Sequence, residues 1–292
     1  MAPRGDRGAC IGLSEKRGRK SVSRETFEIV PIGVVRSPVV DRRLMPAGGV
    51  QAEIEVYPEF ADGLLRIEEN SHLWVLGWFA DADRERLQLV RPEYESPRRR
   101  RGVFGLRSVA RPNPIAMTAT RLLAVEGNRL RVNPLDFVDG TPVIDLKRYS
   151  PSWDCIFAAR SSRDRYLVDQ DSAQRIAEFE LEAANFHGEH CAWVVLGARL
   201  VQYVTTRWNV RPKDETLSVT VSLHPAHLHL SDVLQALTGA TLGSGRLRVT
   251  EDERVAFHWR ARALFVTPRT FPSSALAELR TVPLENLFEF AE

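Results

Sequence analysis

Asp145, Lys147 and Tyr149 are the residues best placed by type and spacing to move protons. They alternate with Leu146 and Arg148. In an extended chain, period-two geometry puts a carboxylate, an ammonium and a phenol on one face, groups that serve as general acids and bases. Asp139, within Asp139-Gly140-Thr141-Pro142, is a fourth candidate; it reads equally as a turn residue capping its own backbone. A second stretch runs Arg107-Ser108-Val109-Ala110-Arg111-Pro112-Asn113-Pro114-Ile115-Ala116. Its guanidinium forks suit a carboxylate partner. Arg107 can bind an anionic ligand in this way. Arg111 stays open between that role and a surface pairing with a loop carboxylate.

A third constellation offers N and S donors of the kind zinc takes. His187 precedes Cys191 by four residues, and His227 and His229 follow at alternate positions. Cys191 is expected in the first turn of a helix, where the dipole favours thiolate. His227 and His229 are expected to face one way on an extended segment. The other reading makes Cys191 a small buried residue and the histidines strand-end surface.

Short strands must position the first two groups. Phe27 to Val39 reads as strand then turn, and Ala52 to Val56 alternates as a half-buried strand does. His72 to Phe79 is a continuous apolar run, expected to be buried on both faces. Trp74 and Trp78 then read as core, and His72 as a hydrogen-bonded core histidine. Arg121 to Val132 predicts a hairpin with Glu126-Gly127-Asn128 at its turn. Many short strands punctuated by Gly and Pro predict a small barrel.

The texture changes after Pro151, and a boundary is expected near Ser161 to Asp171. Ser172 to Ala184 has helical spacing. A helix from Val194 to Trp208, an alternating strand from Leu217 to Leu223 and a short helix from Ser231 follow. A hairpin of Arg246–Val249 with Val255–Trp259 closes the pattern. Thr238 to Gly245 reads as a Gly-rich helix C-terminus or as a backbone nest for an anion. The fold class expected is α+β: a small barrel over 27–160, then a second α+β domain over 172–292.

Composition sets the frame. The chain has 292 residues, 43% hydrophobic and 27% charged, with 40 Lys and Arg against 38 Asp and Glu. That describes a soluble globular protein of two domains. No apolar run approaches the roughly 20 residues of a membrane span. The beginning of the sequence lacks the apolar core of a secretory signal. Three scattered cysteines fit a reducing cytoplasm. Residues 1–26 read as a disordered basic tail. Arg98 to Arg101 read either as phosphate contacts or as a solvated loop.

From Phe27 to Pro151 the sequence closely resembles a bacterial and archaeal family that uses S-adenosylmethionine (SAM). Five blocks carry the resemblance in order: Ile32 to Pro38, Ala52 to Phe60, Ser71 to Phe79, Arg107 to Ala116, and Leu135 to Tyr149. Most relatives have Gly at the position of Ala116, and Asp-Ile-Lys-Pro-Tyr where this chain has Asp145 to Tyr149. That family methylates the modified adenosine beside the tRNA anticodon, and its catalytic domain is a small β-barrel. The resemblance implies a SAM-binding β-barrel with SAM held by Pro46, Gly48 and Gly49, by Ala80 and Asp81, by Arg107, and by Asn133, Pro134, Leu135 and Asp136. It implies a catalytic set drawn from Asp139, Asp145, Lys147 and Tyr149, because an adenine amine needs its proton removed or its lone pair oriented. It also implies a homodimer and a tRNA partner.

The second half is similar to the domain family named after the E-type component of formylmethanofuran dehydrogenase. His187, Gly188 and Cys191 match its opening block, and Thr238, Gly239, Thr241, Leu242 and Gly243 match a later one. Glu189 stands where that family has a second His, and Ala192-Trp193 where it has Pro-Gly. A zinc ion held by His187, Cys191 and one or both of His227 and His229 is the expected metal site. Because this domain replaces the small one that follows the barrel in bacterial tRNA enzymes, three functions stay open: methylation of tRNA, methylation of a small or metal-bound metabolite, and a non-catalytic SAM-sensing or metal-handling module.

Overall fold

A computed structural model describes residues 26–46, 48–90, 100–157, 159, 172–269 and 275–292. The expected basic tail, Arg98, Arg99 and the expected boundary at 161–171 lie outside them.

Among the described residues eight strands come first: β1 (Gly33–Arg36), β2 (Val50–Val56), β3 (His72–Trp78), β4 (Gln88–Leu89), β5 (Arg101–Gly102), β6 (Ile115–Glu126), β7 (Arg129–Leu135) and β8 (Pro142–Arg148). Six of them close a barrel in the order β1-β2-β7-β6-β3-β8. Each barrel pairing is antiparallel. Alternation explains the interior. Ala52, Ile54 and Val56 of β2 point in, as do Leu73 and Val75 of β3 and Leu130 and Val132 of β7. The expected hairpin forms, with Gly127 in the left-handed conformation at its turn.

β3 corrects one expectation. Its burial alternates: Leu73, Val75 and Gly77 are buried, while Trp74, Leu76 and Trp78 are half-buried on the outer face. A closed barrel has one dry side, so an unbroken apolar run still divides between two environments. His72 is exposed rather than core. Its Nδ1 lies 3.0 Å from the Ser71 hydroxyl, and its ring packs against Tyr149 at 6.3 Å. Burial and the nearby Arg121 charge both lower its pKa.

After a short helix, α1 (Pro151–Asp154), come α2 (Ser172–His187), α3 (Ala192–Trp208), β9 (Leu217–Ser222) and α4 (Leu228–Thr238). Then follow β10 (Leu247–Thr250), β11 (Val255–Trp259), β12 (Arg262–Pro268), α5 (Leu276–Leu279), α6 (Leu284–Leu287) and β13 (Phe288–Ala291). The sheet order is β10-β9-β11-β12-β13. The expected hairpin of β10 with β11 is therefore wrong: β9 lies between them, parallel to β10 and antiparallel to β11. The hairpin is β11 with β12, turning at Arg260, which has φ 57°.

A separate core joins α2, α3 and α4 to this sheet through Val194, Leu200, Val219, Leu230, Leu234 and Phe257. The Thr238 to Gly245 segment is a helix end. Gly239 takes a left-handed φ of 62° and its N–H donates to the Gln235 carbonyl at 2.9 Å. Arg246 Nη1 donates to Thr238 O at 3.4 Å and to Leu217 O at 3.2 Å, pinning that end to β9.

Candidate functional site

The barrel register gathers the loops at one end. β1, β3 and β7 finish there, and β2, β6 and β8 begin there: Val50 is opposite Leu135, Trp78 opposite Ile115, and Gly77 opposite Val143. Every segment expected to hold SAM is in these loops or at these strand ends.

Two of the segments touch. A Cβ on Gly49 would lie 2.8 Å from the Leu135 carbonyl carbon and 3.0 Å from Asp136 N. Gly49 has φ 74° and its N–H donates to Pro46 O at 2.9 Å. Only Gly meets both conditions without strain. The Pro46–Gly49 turn is thereby laid directly on the end of β7, where Asn133 and Pro134 join through a cis bond. Gly48 has open space around it. The Asp136 carboxylate accepts from the Thr118 hydroxyl of β6.

Ala80 and Asp81 sit in the turn after β3. The turn is tied to the Arg107–Ala116 segment at two points: Phe79 N–H donates to Pro114 O at 3.0 Å and Arg84 Nε to Pro112 O at 2.9 Å. Arg107 is exposed, and its Nη2 donates to Met117 O at the start of β6. That bond uses one of five guanidinium N–H donors, so a carboxylate fork can still form. Arg111 differs. It is half-buried and donates to Ser108 O at 2.8 Å, to Val103 O at 3.2 Å and to Leu106 O. It shapes the loop that presents Arg107, and its partners are carbonyls rather than a loop carboxylate.

Asp139 bridges loops. Its Oδ1 accepts from Ser37 N–H at 3.0 Å, and its own N–H donates to Val39 O at 2.8 Å. The expected cap of its own turn is instead a tie to the β1–β2 connection.

Asp145 and Lys147 do share a face, and they form an ion pair of 2.6 Å. The face is the outside of the barrel. A register shift opposite Leu76 and Gly77 lets both Val143 and Leu146 serve the core, which turns Asp145 and Lys147 outward. Tyr149 continues the row past the strand end. Its N–H donates to His72 O at 3.0 Å, and its ring lies 5.7 Å from Trp74. Burial raises its pKa, with Cys155 and Asp154 adding to the effect. The row leads away from the loop end. At about 3.3 Å per residue, Asp145 is roughly 10 Å and Tyr149 roughly 20 Å along β8 from Pro142.

The metal-ligating candidates divide. His187, Glu189, Cys191 and His229 bring one ligand atom each to within 4.8 Å of one another. His187 ends α2, Cys191 is the N-cap of α3, and His229 is in the first turn of α4. His187 Nε2 lies 2.8 Å from His229 Nδ1, and Cys191 Sγ 3.8 Å from that same nitrogen. Glu189 Oε1 is 3.7 Å from His187 Nε2 and 3.8 Å from His229 Nδ1. Two imidazoles, a thiol and a carboxylate are a zinc-type donor set, so the residues fit the metal.

His227 is not among them. It and His229 lie at the start of a helix, not on an extended segment, and two helical residues point about 200° apart. His227 is buried against Trp193 at 5.4 Å and His224 at 5.1 Å. Burial and the His224 charge lower its pKa. Glu189 is the candidate donor that the sequence does not single out. Its signal is nonetheless visible there: it occupies the position where the similar family has a second His.

The comparisons with known proteins follow this division. Residues 34–155 match the model of the tRNA-methyltransferase O N-terminal domain. Residues 186–282 match the model described as FmdE, molybdenum formylmethanofuran dehydrogenase operon. An S-adenosyl-L-methionine-binding protein of Archaeoglobus fulgidus is 47% identical over 43% of this chain and 91% of its own length. A probable S-adenosyl-L-methionine-binding protein of the same organism is 37% identical over 74% of this chain, and the match spans 59% of that relative's length. The tRNA (adenine(37)-N6)-methyltransferase of Escherichia coli is 34% identical over 54% of this chain and 71% of its own length. A solved crystal structure of TrmO is 32% identical, covering 47% of this chain and 62% of that one, with a TM-score of 0.40. On its barrel, and on relatives matched over most of their own length, the chain belongs to the tRNA-methyltransferase O family of SAM-dependent methyltransferases.

Proposed function

We propose that the chain methylates the exocyclic amine of a modified adenosine in tRNA, next to the anticodon. The observation that carries this is the convergence of four separate segments at one end of the barrel: Pro46–Gly49, Ala80–Asp81, Arg107 and Asn133–Asp136. Bound SAM would supply a methyl group on a sulfonium, activated for displacement. Arg107 would take the methionine carboxylate in its fork. Asp136, oriented by Thr118, would accept from the ribose or the adenine amino group. Such positioning is the main contribution to this kind of transfer.

Asp145 lies nearest the loop end and would accept or orient the amine proton, with Lys147 holding its carboxylate in place at 2.6 Å. The polar and aromatic row continues outward along β8 to Tyr149 and Trp74. A polar and aromatic row roughly 13 Å long from Asp145 to Tyr149 suits an extended acceptor better than a small one, which favours RNA. The exposed Ile115 and Met117 on the same outer face offer an apolar surface to a second copy of the chain, in keeping with a homodimer. Incubation with tritiated SAM and separate pools of total tRNA and small-molecule extract tests the acceptor.

One observation favours a second reading. The donor cluster of His187, Glu189, Cys191 and His229 could hold a metal ion, and it lies in the half that matches the FmdE model. A metal-associated metabolite would then be the acceptor, and the label would move to the small-molecule pool.

A further inference from the structure

His187 does more than offer a nitrogen to the cluster. Its side chain is 8% exposed, against 63% for Glu189 and 48% for His229. It is the buried floor of a donor set that opens to solvent. Its other ring nitrogen, Nδ1, lies 2.9 Å from Asp232 Oδ2 on α4. An ionised carboxylate can only accept, so this contact puts a proton on Nδ1, and in the neutral imidazole that metal binding requires Nε2 presents the lone pair. Nε2 is the atom that faces Glu189 and His229. His229 Nδ1, at 2.8 Å, must then donate to it in the metal-free chain. A cation at the cluster replaces this hydrogen bond: His229 then binds with Nδ1 bare, and Cys191 binds as thiolate, its proton passing to solvent.

From this geometry we infer that Asp232 is the positioning residue of the metal site: it fixes the His187 tautomer and ring orientation so that Nε2 is a ready ligand. The inference rests on the zinc reading above. A carboxylate behind a ligating imidazole raises its basicity and holds its aim, and losing it commonly weakens metal binding about 10- to 100-fold. The chain places it economically. Asp232 follows His229 by three residues, so both lie on one face of α4. One helix thus supplies a ligand and the orienting carboxylate for a second ligand, which arrives from the end of α2. Asp232 touches the ring on the side away from the cluster and is not itself one of the gathered donors.

The test is cobalt(II) titration of the full chain, read by the tetrahedral ligand-field band and the thiolate charge-transfer band. Nitrogen-15 spectra of the His187 imidazole in the metal-free protein accompany it. Wild type should take up one cobalt, and His187 should be protonated at Nδ1. Asp232→Ala should keep the helical circular dichroism and the same bands at saturation. It should bind cobalt about 10- to 100-fold more weakly and show mixed His187 tautomers. Asp232→Asn, which can still accept through its amide oxygen, should recover part of the affinity. Equal cobalt affinity in wild type and Asp232→Ala would overturn the role of Asp232 and leave the metal site standing. No cobalt uptake by folded wild type would overturn the metal site itself.

Discussion

Gly49 and Leu135 meet backbone to backbone: a Cβ on Gly49 would stand 2.8 Å from the Leu135 carbonyl carbon. Ala at Gly49 would also have to hold a φ of 74°. Such a conformation costs a non-Gly residue on the order of 1–3 kcal/mol. Gly49→Ala should weaken SAM binding by about tenfold or more, measured by titration calorimetry, because it separates the two touching segments. Gly63→Ala, outside the converging segments and with open space around it, serves as the control and should bind SAM as wild type does.

Arg107 and Arg111 should separate cleanly. Arg107→Ala removes an exposed fork and should weaken SAM by about 1.5–3 kcal/mol while leaving the melting temperature nearly unchanged. Arg111→Ala leaves the carbonyls of Val103, Leu106 and Ser108 without their shared donor. It should speed hydrogen exchange across residues 103–111, and Lys at this position should not restore protection. Equal loss of protection in both variants would mean that Arg107 is also a loop residue.

Asp145→Ala and Tyr149→Phe should lower turnover more than SAM affinity, since a group acting on the acceptor contributes in the transition state. Asp145 should show the larger effect because it lies nearer the loop end. Wild-type turnover in both variants would move the active groups elsewhere.

Chelation should lower the melting temperature of the metal-loaded protein, because metal affinity is linked to folding. Plasma mass spectrometry should find close to one transition metal per wild-type chain and much less in Cys191→Ser. His227→Ala should retain the metal, since His227 lies outside the cluster.

His258 gives a pH signature. Burial, aided by the Arg248 charge, lowers its pKa below the ordinary value. The unfolded chain, titrating near 6.5, then binds the proton more readily than the folded one. This contribution is complete above about pH 6.5 and is lost as pH falls. With chelator present, the melting temperature should drop between about pH 7 and about pH 5. His258→Gln should reduce that slope, with His72 and His227, whose pKa values burial also lowers, supplying the remainder.

The barrel and its hairpin are legible in the sequence, because alternation and turn residues act locally; the loop segments expected to hold SAM come from the family resemblance. That β9 inserts between β10 and β11 is not, since strand order depends on contacts far apart in the chain. The outer face of β3 is hidden because Trp74, Leu76 and Trp78 are as apolar as the interior residues between them. His227 and His229 alternate as an extended segment would; the helix begins at Leu228, and that start alone turns one histidine out of the cluster. Glu189 and Asp232 do not stand out in the sequence, because an acidic residue at a surface position usually means solvent. Only the fold, in which α2, α3 and α4 converge, brings both to His187.

Tritium transfer from labelled SAM reads the methyl acceptor directly. Label should enter tRNA, and nuclease digestion should return it as an N6-methylated adenosine, with Arg107→Ala strongly reduced at low SAM. Label confined to the small-molecule pool, with tRNA unlabelled, would rule out tRNA as the acceptor.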